Sequence, residues 1–228
     1  MVRLVKGAYW DGEIKRAQVM GLSSYPVFTR KVLTDVSYQA CAKKLFENAD
    51  IIYPQFATHN ALTAALVREM AGEVKEYELQ RLHGMGEALH DSLLKAGLRS
   101  RIYAPVGGHK ELLPYLVRRL LENGANSSFV NQLFDPETSI DSIVADPVGE
   151  ARALNTIPNT AIPAPRDLFN GTRLLAEGWD ETDPDTAEQL QLAVGEALQS
   201  KRAFGPIIDG VSPKGETAPS TNPAHPHE

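Results

Sequence analysis

Two adjacent arginines, Arg118 and Arg119, lie in a stretch with helical spacing and could bind an anionic ligand. Guanidinium groups bind carboxylates through paired hydrogen bonds, so this pair is suited to a carboxylate. Adjacent residues of a helix point about 100° apart, so both side chains reach one ligand only near a shared cleft. A solvated basic helix face is the alternative that the sequence leaves open.

Four short runs of β-forming residues each end in polar, aromatic or glycine residues. These ends are Lys6-Gly7-Ala8-Tyr9-Trp10, Thr58-His59-Asn60, His83-Gly84-Met85-Gly86 and Tyr103-Ala104-Pro105-Val106-Gly107. Turn formation explains any one of these loops, since glycine and proline end strands everywhere. Their recurrence at four successive strand ends favours a functional site, because barrel enzymes build their sites from the loops that follow the strands.

The elements that must position these groups alternate between strand and helix. Strands are predicted near residues 3–9, 50–58, 77–82 and 101–104, and helices over 11–21, 32–48, 61–70, 87–96 and 109–123. Asp11 and Asn60 are the predicted helix caps. The alternation predicts an α/β fold with parallel strands joined by right-handed crossovers. An open doubly wound sheet and half of a (β/α)8 barrel, which as a whole takes about 250 residues, both fit four units.

Charge and proline content divide the chain into two parts. Residues 1–132 carry 17 Lys and Arg against 13 Asp and Glu, residues 133–228 carry 6 against 16, and 11 of the 15 prolines lie in the second part. Acidic, proline-rich blocks of this kind are often linkers. The net charge of −6 argues against a nucleic-acid binder, and no apolar run is long enough to span a membrane. The lone Cys41 excludes an internal disulfide and fits a reducing cytoplasm.

Two segments have residues suited to phosphate or another anion. Thr29-Arg30-Lys31 precedes a predicted helix and offers hydroxyl and basic groups, while Thr58-His59-Asn60 opens another helix. Helix capping explains either segment equally well. No glycine-rich dinucleotide fingerprint occurs, and His59 and His83 lack the spacing of a zinc site, so no metal site is predicted.

Several of these motifs together resemble the proline dehydrogenase family, in particular the flavin domain of bacterial bifunctional enzymes that also carry an aldehyde dehydrogenase domain. The resemblance lies in Arg3–Trp10, Tyr53–Asn60, Gln80–Glu87, Tyr103–Gly107 and Tyr115–Asn131. It implies the C-terminal half of a (β/α)8 TIM-type barrel over residues 1–135, with four strand–helix units. An acidic, proline-rich linker of helices and loops over residues 136–228 would then lead toward an aldehyde dehydrogenase domain, and the chain would be a fragment of the bifunctional enzyme.

The family oxidises L-proline to 1-pyrroline-5-carboxylate by hydride transfer to FAD. The resemblance implies catalytic roles for Arg3, Tyr103, Arg118 and Arg119, and a substrate pocket formed by Tyr9, Leu82, Tyr103, Arg118 and Arg119. It implies cofactor contacts at Arg3, Val5, Gly7, Ala8, Trp10, Thr29, Arg30, Lys31, Thr58, His59, Asn60, Gln80 and Glu122. An apolar pocket with a cationic end also suits a five-membered ring that carries one carboxylate.

The resemblance also implies partners beyond the substrate. These are a quinone electron acceptor at the membrane and the rest of the same polypeptide, and a homo-oligomer remains open. We expect a cytoplasmic protein, with peripheral membrane association of the full-length enzyme, and little activity from the chain alone. A noncatalytic half-barrel that serves assembly is the alternative, whereas a flavodoxin-like binding domain leaves the paired arginines unexplained.

Overall fold

The protein is described by a computed structural model covering residues 1–6, 9–124, 135–199, 204–216 and 218–225, with the backbone alone over 120–124. In its first part strands and helices alternate as β1 Val2–Val5, α1 Trp10–Met20, α2 Lys31–Phe46, β2 Pro54–Ala57, α3 Ala61–Ala71, β3 Glu78–Leu82, α4 Glu87–Lys95, β4 Ser100–Tyr103 and α5 His109–Gly124. The later elements are α6 Ile140–Ile143, α7 Pro147–Arg152, a 3₁₀ turn Pro165–Asp167 and α8 Pro184–Gln199. The four predicted strand–helix units are therefore confirmed.

Local signals account for several element boundaries. Asn60 caps α3 as predicted, because its Oδ1 accepts a hydrogen bond from the Thr63 N–H at 3.0 Å. Asp11 is not the cap of α1 and lies in the first turn, where its charge still favours the helix dipole. The strand predicted from residue 50 begins only at Pro54, because the Ile51 and Ile52 N–H groups bond to the Asn48 carbonyl in a turn.

The four strands form one parallel sheet in the order β1-β2-β3-β4. The register aligns Arg3 with Gln55 and Gln55 with Glu78, and it aligns Gln80 with Arg101. Alternate residues of a strand point to the same side of a sheet, so these side chains share one face with Tyr103. We call it the polar face, formed by Arg3, Gln55, Glu78, Gln80, Arg101 and Tyr103.

The opposite face of the sheet is apolar and carries the core. Leu4, Phe56 and Leu79 lie on this face and pack with residues of α2, α3 and α4. The Phe56 ring is 5.0 Å from that of Phe46 and 6.1 Å from that of Tyr77. A doubly wound sheet has helices on both faces, whereas here α2, α3 and α4 share one face, so the arrangement is that of a barrel wall.

Part of the acidic, proline-rich half packs on these units. Helix α7 packs on α2, the 3₁₀ turn packs on α1, and the Gly178 N–H donates to the Gly21 carbonyl at 3.0 Å. A Cβ on Gly178 would come within 1.8 Å of the Met20 carbonyl oxygen, so only glycine fits at this close approach.

By packing, the chain divides into one unit of Met1–Gly178 and another of Trp179–Glu228. The predicted boundary near residue 135 separates a barrel half from a linker and was not drawn from packing. It stays a prediction. The second unit contains α8 and a bridge between Ile208 and Val211. Across the described ranges, no helix is long and apolar enough to cross a membrane.

Candidate functional site

Arg3 is fixed on the polar face by residues from two other strands. Its Nε donates to Gln80 Oε1 at 2.8 Å, and its guanidinium carbon lies 4.6 Å from the centre of the Tyr103 ring. Burial raises the pKa of Tyr103, although the charges of Arg3 and Arg119 act to lower it. The phenol therefore stays protonated, and its ring supports the cation by a cation–π contact.

The two adjacent arginines of α5 meet different aromatic rings. The guanidinium carbon of Arg118 lies 5.1 Å from the ring centre of Tyr9, and that of Arg119 lies 5.1 Å from the ring centre of Tyr115. The Arg118 Nε is buried and forms no hydrogen bond with any described residue. A buried guanidinium donor without an acceptor is costly, so this geometry suits an anionic ligand.

His59 is held as a neutral ring at the end of β2. Its Nε2 accepts a hydrogen bond from the Leu82 N–H at 3.0 Å, which leaves the proton on Nδ1. Burial lowers the pKa of His59 to about 4, and charges near it, including Arg119, act in the same direction. The ring therefore presents an Nδ1 donor at neutral pH. The neighbouring Thr58 Oγ1 accepts from the Asn60 N–H at 3.1 Å, which fixes the turn into α3.

Leu82 and Val5 lie near the carboxyl ends of their strands. Leu82 is buried and pairs in register with Tyr103, so it forms an apolar side of the same strand end. Val5 is half exposed on β1, and Gln80 is buried on β3. Gly7 and Ala8 lie outside the described residues, as does the side chain of Glu122, so the predictions for these three stand without a position.

The segment between α1 and α2 has protein partners from the acidic half. Thr29 Oγ1 accepts from the Asn159 N–H at 2.8 Å, and Arg30 donates to the Pro158 carbonyl at 3.1 Å and to Thr156 Oγ1 at 3.3 Å. The Trp10 indole N–H donates to the Phe28 carbonyl at 2.8 Å, which links α1 to this segment. These contacts leave the Thr29 hydroxyl proton free to reach an acceptor.

Lys31 and Lys6 both form ion pairs with the carboxylate of Asp35. Lys31 Nζ lies 2.6 Å from Asp35 Oδ2, and Lys6 Nζ lies 2.7 Å from Asp35 Oδ1 and 2.9 Å from Thr63 Oγ1. Burial lowers the pKa of Lys6, although the charge of Asp35 opposes this effect. Lys6 thereby ties the end of β1 to both α2 and α3, a role that the sequence did not reveal.

Two further buried polar residues, Glu78 and His90, were not predicted from the sequence. Glu78 accepts from Gln55, Gln80 and Arg101, and the hydrogen bonds from Arg101 lower its pKa to about 2 against the opposing effect of burial. His90 is fully buried in α4. The sequence did hold a signal for Glu78, because Glu78 and Gln80 lie at alternate positions of one strand. Polar residues at every second position indicate a polar face of a sheet.

His90 supports the turn that carries His59. Its Nε2–H donates to the Thr58 carbonyl at 3.1 Å, and its Nδ1 accepts from the Ser100 hydroxyl at 2.7 Å. In the part of the chain with described side chains, no three His, Cys, Asp or Glu residues come together as a metal site.

Comparison with known proteins places this arrangement in a family. Residues 1–132 match the family described as proline dehydrogenase. The chain belongs to the proline dehydrogenase family. The α/β fold with four strand–helix units of a barrel, predicted from the sequence, agrees with this membership.

Curated proline dehydrogenase relatives include much longer proteins. The chain is 48% identical over 243 residues to the bifunctional protein PutA of Salmonella typhimurium and 49% identical over 244 residues to that of Escherichia coli. Each alignment covers 100% of this chain and 18% of the relative, so the chain spans about a fifth of their length. A mitochondrial proline dehydrogenase of Arabidopsis thaliana is 36% identical over 130 residues, covering 53% of this chain and 27% of that protein.

Solved proline dehydrogenase structures share the fold. A crystal structure of bifunctional proline utilization A superposes with a TM-score of 0.79 at 49% identity, covering 92% of this chain and 21% of that one. Proline utilization A from Bdellovibrio bacteriovorus gives a TM-score of 0.72 at 34% identity over 95% of this chain and 22% of that one. The polar face and the arginine pair described above therefore lie within a fold known from that enzyme.

Proposed function

We propose that this chain provides one half of an FAD-dependent proline dehydrogenase site. The reaction is the oxidation of L-proline to 1-pyrroline-5-carboxylate in proline catabolism, by an oxidoreductase that acts on CH–NH donors. The observation that carries the proposal is the buried Arg118 Nε, which meets no acceptor among the described residues and lies beside the exposed ring of Tyr9. A carboxylate bound there would satisfy that donor.

In this proposal the substrate is held by a cationic end and apolar walls. Arg118 and Arg119 bind the proline carboxylate through their guanidinium groups. Tyr9, Tyr103 and Leu82 surround the ring, because a small apolar ring needs walls that exclude water. On oxidation, proline loses a hydride from the ring carbon next to nitrogen and the N–H proton, which leaves a C=N bond.

The residues at the strand ends fit a flavin cofactor by their donor chemistry. When bound, FAD would supply the two-electron acceptor for the hydride. Arg3 would stabilise negative charge on the reduced ring, and the Nδ1–H of His59 would donate a hydrogen bond to the cofactor. Basic and hydroxyl groups of Thr29, Arg30 and Lys31 would hold its phosphates. The other proposed contacts come from Val5, Gly7, Ala8, Trp10, Thr58, Asn60, Gln80 and Glu122.

The proposal includes partners that complete the site. Among the described strands, β1 and β4 each pair with a single neighbour, so both edges of the sheet are open to further strands. The rest of a PutA-type polypeptide would supply those strands and an aldehyde dehydrogenase domain, and a membrane quinone would accept the electrons. Two such polypeptides could also associate after β1 and β4 have been paired with the strands of the missing barrel half.

The first test is a visible absorbance spectrum of the purified chain with FAD. The chain is examined alone and after addition of the amino-terminal barrel half of a PutA relative, each with and without L-proline. We expect flavin to be bound, and bleached by proline, only in the combined sample. A combined sample that stays colourless after removal of free FAD contradicts the proposal.

Two arginine variants make this test specific. Arg118→Met removes the proposed carboxylate ligand, whereas Arg68→Met removes an exposed arginine on the outer side of α3. We expect the first variant to bind flavin but to need at least about tenfold more proline for bleaching, since a hydrogen bond to a charged group contributes about 1.5–3 kcal/mol. The second variant should behave as the unaltered chain does.

A noncatalytic assembly module is the second candidate function. It is favoured by β1 and β4, each of which pairs with only one described strand and so offers backbone groups to another chain. A combined sample that forms a stable complex but binds no flavin would support this alternative.

A further inference from the structure

Glu78 lies at the centre of the polar face and is saturated with hydrogen bonds. Its side chain is 5% exposed. Glu78 Oε1 accepts from Gln55 Nε2 at 2.8 Å, from Gln80 Nε2 at 2.7 Å and from Arg101 Nε at 2.6 Å. Its Oε2 accepts from Arg101 Nη2 at 2.8 Å and from the Tyr53 hydroxyl at 3.4 Å. The carboxylate therefore connects β2, β3 and β4.

An ionised carboxylate fixes which way a neighbouring amide points. Such a carboxylate only accepts hydrogen bonds, so the Gln80 amide must turn its NH₂ group toward Glu78. Its oxygen then faces the other way, where it accepts from Arg3 Nε at 2.8 Å. The reversed amide would place oxygen against the carboxylate and NH₂ against a guanidinium, which leaves both contacts repulsive.

We propose that Glu78 is a positioning residue that acts on Arg3 through the Gln80 amide. It does not touch Arg3 and holds it by fixing the orientation of Gln80, which keeps the guanidinium over the Tyr103 ring. The part of this inference that concerns flavin rests on the proposed function, in which Arg3 lies at the cofactor. The part that concerns the Arg3 guanidinium rests only on the contacts of the polar face.

Gln55 provides a matched control for this role. It is the same residue type as Gln80, it is buried like Gln80, and it donates to the same Glu78 oxygen. It differs in having no hydrogen bond to Arg3 among the described contacts. Loss of its amide therefore removes one donor from Glu78 and leaves the Gln80 contact to Arg3 intact.

The test is the rate at which the Arg3 Nε–H exchanges with water in the ¹⁵N-labelled chain. The measurement is made without flavin at mildly acidic pH, where Glu78 stays ionised because its pKa is about 2. We expect Glu78→Gln to make this exchange about tenfold faster, since a neutral amide no longer imposes one orientation on Gln80. Gln55→Met should leave the rate within about twofold of the unaltered chain, because the Gln80 bond to Arg3 persists.

Two outcomes would overturn the positioning role. One is a folded Glu78→Gln chain with the unaltered Arg3 rate, and the other is an equal rise in Gln55→Met. If Glu78→Gln does not fold, the unaltered chain still gives an answer through the Gln80 side-chain NH₂ protons. These protons should exchange more slowly than those of the exposed Gln191, and equal rates would contradict the inference.

The two proposals fail separately. The exchange measurement needs no flavin, so its failure removes the positioning role and leaves the proline dehydrogenase proposal standing. A combined sample that never acquires flavin absorbance removes that proposal and leaves the Arg3 result unchanged.

Discussion

Arg118 and Arg119 are neighbours in the chain, yet each guanidinium is supported by a different tyrosine. Tyr9 comes from the loop after β1 and Tyr115 from α5 itself. Two cations placed side by side repel each other, and an aromatic face beneath each one offsets part of that cost. A bound anion would offset more of that cost, and under the proposed function this anion is the proline carboxylate.

The tautomer of His59 gives a prediction at the same scale. Because its Nε2 accepts from the Leu82 N–H, we expect the neutral Nδ1–H form at pH 7 and titration with a midpoint near 4. The folded pKa lies below the unfolded value of 6.5, so stability from the neutral ring is present above pH 6.5 and is lost as pH falls through 4. Long-range ¹H–¹⁵N spectra measure the tautomer and the midpoint directly.

His59→Gln is the control for this pH dependence. The variant keeps an acceptor for Leu82 but has no titrating ring, so the change in unfolding free energy between pH 6.5 and 4 should become smaller. A proton on His59 Nε2, or a titration midpoint at the ordinary value for histidine, would show that the Leu82 N–H does not fix the tautomer of His59.

At the scale of elements, one lysine fastens two helices to the sheet. Lys6 leaves β1 on the helix side and reaches Asp35 of α2 and Thr63 of α3. Its side chain is 25% exposed and that of Asp35 is 17% exposed, so the pair is partly shielded from water. The residue that follows β1 is therefore anchored to both helices.

Substitution of Lys6 tests this anchor, and Lys31, which binds the same carboxylate, provides the control. We expect Lys6→Met to lower the free energy of unfolding by about 1–3 kcal/mol, because it leaves a partly buried carboxylate with a weaker partner. Lys31→Met removes the other, 54% exposed lysine from the same Asp35 and should cost less than about 1 kcal/mol. Urea unfolding of both variants measures the difference, and equal losses would argue against an anchoring role for Lys6.

At the scale of the whole molecule, the sheet of described strands is packed on one face by α2, α3 and α4, and its edge strands β1 and β4 each pair with one described neighbour. Val2 is 42% exposed on β1 and Ile102 is 52% exposed on β4. Exposed, apolar edge strands pair readily with other chains. The same edges that would accept the other half of a barrel therefore make the isolated chain prone to self-association.

Self-association gives a prediction for the isolated chain. We expect its sedimentation coefficient to rise with concentration, and Val2→Lys together with Ile102→Lys to suppress the rise, because edge lysines block strand pairing. A matched pair of lysines at the exposed Val194 and Leu198 of α8 should leave it unaltered. A chain that sediments as a monomer at all concentrations would contradict the prediction.

Elements whose signals are local in the chain could be predicted from the sequence. The Asn60 cap of α3 and the α/β alternation depend on neighbouring residues, and both were predicted. Glu78 had only its alternation with Gln80 as a local signal, and its contact with Arg101, 23 residues away on another strand, could not be read from the sequence. His90 had no local signal, because its partners Thr58 and Ser100 lie outside α4. The contacts of Arg30 to residues 126 and 128 positions away escaped prediction for the same reason.

The contacts of Thr29 and Arg30 with Thr156–Asn159 determine where the chain can be truncated or exchanged with that of a relative. The family match ends at residue 132, so a gene trimmed there would lose the groups that hold the loop before α2. A boundary after Gly178 keeps them, together with the close approach at Gly21. A swap of the barrel half between relatives should therefore carry residues 135–178 with it.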